Sequence, residues 1–185
     1  MPLFTNHTIE SAPQGSKGLL EKAQKNLGFV PNLYGSLAES PVALEAYGAI
    51  SDRFSKTSLS PTEQQVVLLV ASVENGCEFC VAAHSVIAKK MVGVHEHIVA
   101  AIRNEDEIDD EKLESLAKFT REVVQQRGWV NGQPVENFLA AGYNRQQALE
   151  VILGVSLKTL SNYTNHMTET QTNAEFASES WTKSS

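Results

Sequence analysis

A chain of 185 residues is long enough to fill one hydrophobic core and short enough to form a single domain. Its 42% hydrophobic and 20% charged residues are ordinary for a globular protein. With 15 Lys and Arg against 22 Asp and Glu, the formal charge of −7 excludes the basic stripe of a nucleic-acid binder and argues against docking to anionic lipid.

The opening residues, MPLFTNHTIE, lack the basic-then-apolar order of a secretory signal, so the expected setting is the reducing cytoplasm. Residues 17–27, KGLLEKAQKNL, carry apolar side chains at helical spacing, and Gly28 is a natural stop. PNLYGSLAES predicts a second short helix. In SPVALEAYGAISDRFSK, Ser40 is the expected N-cap and Pro41 the first helical residue. The sequence from Ser60 to Glu63, SPTE, is a capping box. The helix it opens, PTEQQVVLLVASV, is apolar almost all round, which predicts burial. Its run VVLLVASV is far short of the ~20 residues of a membrane span.

Asn75-Gly76 predicts a tight turn, after which CEFCVAAHSVIAKKM restarts a helix that ends at Gly93. HEHIVAAIRN predicts another short helix. IDDEKLESLAKFTREVVQQRG has acids at its start, an arginine expected in its last turn and a glycine after it, a polarity that suits the helix dipole. QPVENFLAAG predicts a short helix, and NRQQALEVILGVSLKTLSNYTNHM opens with Asn144 as cap and Gln147 at N3. Residues 170–185 read as an irregular tail. With no period-2 strand and no repeat or low-complexity linker, the expected fold is all-α in one domain, 1–185.

Cys77 and Cys80 are the only cysteines, and His84 follows four residues later. On a continuous helix over 77–90, Cys80 lies about 60° round from Cys77 and His84 about 20° from it, so all three share a face. Side chains three or four residues apart are near enough for a disulfide, and the first turn of a helix favours an anion. A free thiol has a pKa of ~8.5, and a helix N-terminus or a neighbouring imidazole lowers it. The pair therefore reads as a reversible two-electron store whose proton the imidazole handles. Inert structural thiols are one alternative. Zinc is another, but the three ligands lack a fourth, and His95 and His97 are two apart at a helix start. A thioredoxin-like strand before the C-x-x-C conflicts with the helix start at Ser60 and the want of strands elsewhere. His166 reads as a helix-end or subunit-interface residue, Glu74 as part of a solvated turn, and Trp129, Phe138 and Tyr163 as core.

The stretch LSPTEQQVVLLVASVENGCEFCVAAHSVIAKKMVG, within roughly residues 57–103, resembles the core motif of the carboxymuconolactone decarboxylase and alkylhydroperoxidase D (AhpD)-like family. LGFVPNLYGSLAESPVALEAY and, more loosely, SNYTNHMTETQTNAEFASESW resemble that family's peroxidase-related branch. The resemblance implies an AhpD-like helical bundle that assembles as a homo-oligomer. It implies a thiol-dependent hydroperoxide reductase in which Cys80 attacks the peroxide and Cys77 resolves the sulfenic acid to a disulfide. An external dithiol, in some members a lipoyl-bearing protein, then reduces that disulfide; no other cofactor is implied. His84 matches the proton relay. The family's relay glutamate, twelve residues before the first cysteine, is here Gln65, which takes no proton at neutral pH. Glu63 lies two residues earlier, turned by about 160° and expected to serve the cap. Phe79 stands where some members carry a further histidine. These departures motivate an alternative: a dithiol–disulfide oxidoreductase or redox sensor with little peroxidase turnover. A decarboxylase reading, suggested by the family name, has no need of the C-x-x-C, and a purely structural oligomer would show inert buried thiols.

Overall fold

In a computed structural model, which describes residues 3–183, the chain folds as nine α-helices with a π-helical turn and a 3-10 turn, and no strand occurs among the described residues. The helices are α1 (Gln14–Leu27), α2 (Asn32–Leu37), α3 (Pro41–Phe54), α4 (Pro61–Glu74), α5 (Glu78–Val86), α6 (Glu96–Asn104), α7 (Glu111–Gln125), α8 (Gln133–Ala140) and α9 (Arg145–Thr168).

Local chemistry sets their ends. Ser40, Ser60, Asp110 and Asn144 each accept a hydrogen bond from a first-turn backbone N–H, and Ser60–Glu63 and Asn144–Gln147 form complete capping boxes. Gly28 and Gly93 close their helices at φ of 84° and 80°, a region that costs glycine nothing. The expected arginine in the last turn of the 111–125 helix is absent: Gln125 ends it, and Arg127 lies in the following turn at φ 53°.

α4 is the axis of the molecule and packs against α5, α6, α7 and α9. Val66 to Val70 and Val73 are all buried, as an apolar circumference requires. At roughly 1.5–3 kcal/mol for each such side chain, this helix alone supplies a large share of the hydrophobic drive. α9 lies against α4 at close range. A Cβ on Gly154 would sit 2.7 Å from both Phe54 and Val67, so only glycine admits this approach.

Two expectations for the second half fail. The tail is not irregular throughout: Ala174–Glu179 form a 3-10 turn whose Phe176 packs edge-on against Phe29 and Phe79, at 5.6 and 5.8 Å. Arg103 ties it down through the Glu179 carboxylate at 3.0 Å and the Ser180 carbonyl at 2.9 Å. Ser184 and Ser185 lie outside the described residues. Of the three aromatics expected in the core, only Phe138 is there, stacked between Phe119 and Tyr143; Trp129 and Tyr163 are exposed.

Candidate active site

The turn between α4 and α5 places the first sulfur. Gly76 takes a positive φ of 65°, and the Cys77 N–H bonds back to the Ser72 carbonyl at 2.9 Å. Cys77 then has extended backbone and is the residue before α5, while Cys80 stands at its third position. The helix expected over 77–90 starts one residue later, at Glu78, and from Ile87 to Val92 it winds as a π-helix before its expected stop at Gly93. The sulfurs converge nevertheless, because the extended Cys77 turns its side chain back over the first turn. Both cysteines are free thiols, each 1% exposed.

α9 closes the site from the opposite side. Asn165 Nδ2 donates to both sulfurs, 3.5 Å to Cys77 Sγ and 3.3 Å to Cys80 Sγ. Ser161 Oγ lies 3.8 Å from Cys80 Sγ. One turn further back, the ammonium of Lys158, itself 1% exposed, is 3.0 Å from His84 Nε2. The other ring nitrogen, Nδ1, is 3.1 Å from Gln65 Oε1 of α4. An ammonium has only donors, so Nε2 carries the lone pair and Nδ1 carries the hydrogen that the Gln65 oxygen accepts. Gln65 thus sits where the resemblance placed a glutamate, but as a neutral acceptor that fixes the tautomer.

The electrostatics of the two thiols diverge. Burial pushes Cys80 up, but the hydrogen bond from the Cys77 thiol, the charge and hydrogen bond of Lys158 and the Ser161 hydroxyl outweigh it and bring its pKa to about 5. Cys77, which donates that hydrogen bond and is itself buried beside Cys80, is held far above the ordinary thiol range. At neutral pH the pair is one thiolate and one thiol. Burial and then the Lys158 charge hold His84 well below the ordinary imidazole pKa, so the ring is neutral. Tyr47 of α3 faces the sulfurs and stays a phenol, its pKa raised by burial and by the neighbouring Tyr34 and cysteines.

A cleft of about 280 Å³ reaches Cys77 and is lined by Phe79, Asn165, His166 and Thr170 among others. The buried Asn165 Oδ1 has no hydrogen-bond partner among the described residues. His166, expected at a helix end or interface, is exposed at the mouth of this cleft. A larger groove between α7 and α8, lined by Glu107, Glu111 and Glu114, touches none of these groups.

Of the five residues the sequence nominates, the structure brings four together: Cys77, Cys80, His84 and Gln65. Glu63 is the exception. Its carboxylate accepts from the Ser60 backbone N–H at 2.7 Å and pairs with Lys112 at 3.2 Å. Burial opposes its ionisation, but the Ser60 and Lys112 bonds keep its pKa below the usual value. Glu74 is likewise not on a solvated turn but paired with Arg121 at 2.8 Å. His95 and His97 stack on each other at 5.6 Å, and among the described residues no group of three or more His, Cys, Asp or Glu is placed to hold a metal ion.

The sequence reading missed Lys158, Ser161 and Asn165. A signal was there: Lys158, Ser161, Asn162 and Asn165 recur three and four apart on one side of the last helix, and all four are buried. A polar stripe on a buried face needs partners, and it finds them in the cysteine pair, His84 and Asn75.

The fold has counterparts among known proteins. Residues 41–122 match the sequence profile of the carboxymuconolactone decarboxylase family. No curated protein matches the sequence. Among solved structures, the fold is similar to that of an uncharacterised peroxidase-related protein with an alkylhydroperoxidase AhpD core from Ralstonia eutropha JMP134 (TM-score 0.82, 20% identity, covering 95% of this chain and 94% of that one). It is also similar to a peroxidase-related protein from Silicibacter sp. TM1040 (TM-score 0.78, 19% identity, 94% of each chain). A third similar structure is a debrominase in complex with a tribromopyrrole (TM-score 0.79, 18% identity, 97% of this chain and 96% of that one).

Proposed function

We propose, on the premise that this chain belongs to the carboxymuconolactone decarboxylase family in its AhpD-like form, that it is a thiol-dependent hydroperoxide reductase. The observation that carries the reading is one amide, Asn165, donating to two buried sulfurs, of which Cys77 lines a cleft. The Cys80 thiolate attacks the terminal peroxide oxygen, the O–O bond breaks, and Cys80 becomes a sulfenic acid while the alkoxide leaves. Cys77, held as a thiol, then condenses with the sulfenic acid, releasing water and forming the Cys77–Cys80 disulfide. The unpartnered Asn165 Oδ1 is an acceptor for the O–H of an incoming hydroperoxide. His84 serves the proton path through its Nε2 contact with Lys158.

The disulfide is then reduced by an external dithiol, such as a lipoyl group on a carrier protein, attacking Cys77 from the cleft that this residue lines. The reducing cytoplasm is the setting in which two free thiols persist. Self-association with a second copy is part of the same reading: Leu149, Ile152, Tyr163 and Met167 leave one side of α9 apolar and exposed.

Single-turnover oxidation with thiol counting tests the chemistry. The parent protein loses two thiols per peroxide consumed. Cys77→Ser consumes one equivalent and stops at a trappable sulfenic acid. Cys80→Ser consumes none; if it matches the parent rate, the proposal is wrong. The second reading, a dithiol–disulfide oxidoreductase with little peroxidase turnover, draws on Gln65, which cannot relay a proton as a glutamate does. It predicts disulfide exchange with small dithiols at a rate far above peroxide turnover.

A further inference from the structure

The family resemblance gives no part to Lys158, yet this is the most deeply placed cation in the described chain. The residue is 1% exposed, and among the described residues no carboxylate lies within ion-pair distance of its ammonium. A buried cation stripped of water needs an anion beside it. Its ammonium meets His84 Nε2 at 3.0 Å, and it stands one turn before Ser161, whose Oγ is 3.8 Å from the Cys80 sulfur. The imidazole is neutral, with its lone pair committed to the ammonium, so it can neither balance the charge nor take the proton of the thiol. The other titratable groups facing the sulfur are Cys77 and the Tyr47 phenol, and neither is an anion. Only the Cys80 thiolate remains.

We propose that Lys158 is the resident counter-ion of the Cys80 thiolate and the proton donor to the alkoxide that leaves it. The inference rests on the reading of Cys80 as the sulfur that reduces a hydroperoxide. The cycle balances. Thiolate and hydroperoxide give sulfenic acid and alkoxide; the alkoxide takes a proton from the Lys158 ammonium and leaves as the alcohol, and the lysine becomes a neutral amine. The sulfenic acid and the Cys77 thiol give the disulfide and water. An external dithiol then returns two electrons and two protons, one to Cys77 and one to Lys158, and leaves as its own disulfide. The buried site is therefore neutral overall at every resting stage, with an ion pair when reduced and an amine beside a disulfide when oxidised. His84 Nε2 accepts an N–H from lysine in either state, so the imidazole is a positioning residue for Lys158. Gln65 suits this role because it fixes Nδ1–H without adding a charge that would compete with the thiolate for the ammonium.

The test begins with the reduced protein and no peroxide. Thiolate absorbance near 240 nm across pH should show one thiolate at pH 7 in the parent. In Lys158→Met, a substitution of similar volume, the thiolate fraction at pH 7 should fall at least about thirtyfold, toward the few per cent of an unassisted cysteine, and return as the pH is raised. Peroxide consumption should fall with it and stay below the parent rate even where the thiolate returns at higher pH, because the proton donor is gone as well. Lys158→Arg separates the two roles: a guanidinium keeps the charge but holds its proton, so the thiolate band persists while peroxide consumption falls. An unchanged thiolate band in Lys158→Met overturns the counter-ion assignment. A parent-like peroxide rate in Lys158→Arg overturns the proton-donor assignment. If the band behaves as expected but the parent leaves peroxide untouched, the ion pair stands and the peroxidase reading fails.

Discussion

Cys80 and Cys77 are the same residue type three positions apart, yet the fold drives their acidities in opposite directions. The cause is asymmetric donation: the thiol of Cys77 donates to Cys80, and Lys158 and Ser161 add their pull on the same sulfur. Because the reactive species is the thiolate, peroxide consumption should be flat through neutral pH and fall only in acid, as Cys80 takes up a proton near pH 5. An unassisted thiol would already be losing rate below about pH 8.5. Stopped-flow rates from pH 4 to 9 separate the two profiles. His84 carries a linked stability effect. Its folded pKa lies well below 6.5, so the unfolded chain binds a proton that the folded site refuses. Stability from this group is complete above 6.5 and is lost as pH falls from there toward the folded value. A urea midpoint that drops between pH 7 and pH 5 in the parent, and drops less in His84→Gln, is the expected result. Gln65→Met leaves the buried Nδ1–H without an acceptor and should destabilise by about 1–3 kcal/mol in the same measurement.

At the level of the helices, the site is a meeting of α4, α5 and α9, and it depends on how closely they approach. Gly154 sets that approach: it lets α9 press on Phe54 of α3 and Val67 of α4, four residues before Lys158 on the same side of the helix. Gly154→Ala forces a methyl into atoms 2.7 Å away. Overpacking of this kind costs about 1–3 kcal/mol, and here α9 has to back away and take Lys158, Ser161 and Asn165 with it. The expected outcome is a lower melting temperature together with a slower peroxide reaction. A variant that loses stability but keeps its full rate would show that the placement of α9 does not matter to the sulfurs. The caps behave more simply. Ser60→Ala removes a first-turn acceptor far from the sulfurs and should cost about 1 kcal/mol with the chemistry intact.

Over the whole molecule, the chain's end matters to its middle. The 3-10 turn of the tail lays Phe176 on Phe79, one of the two residues between the cysteines, and Arg103 of α6 holds it there. Phe176→Ala should cost about 3–5 kcal/mol, read in denaturant melts, and should open α5 to solvent, so that Cys77 reacts faster with an alkylating agent. The other large-scale feature is the exposed apolar side of α9. It lies on the helix whose opposite side holds Lys158 and Asn165, so the proposed contact between copies would brace the wall of each site from behind. Light scattering of the parent and of Tyr163→Glu measures that contact directly.

The sequence by itself determined the helices, because caps, glycine stops and apolar spacing act over four residues or fewer: Ser40, Ser60, Asn144 and Gly93 all do what their local chemistry dictates. It also delivered Cys77, Cys80 and His84, which lie within eight consecutive residues, and it singled out Gln65 by resemblance. Only the tertiary structure decided what surrounds them. Helical periodicity says which residues share a face but not which face meets which. The polar stripe from Lys158 to Asn165 was therefore visible as a pattern, yet its partner, some eighty residues earlier, was not. The same limit hid the fate of Trp129 and Tyr163, whose exposure depends on where neighbouring helices stop. It also hid that of Glu63, which its own cap and a lysine on α7 claimed first. The acidity of Cys80 belongs to this second class, since it is set by a cation that only the packing of α9 against α5 brings into reach.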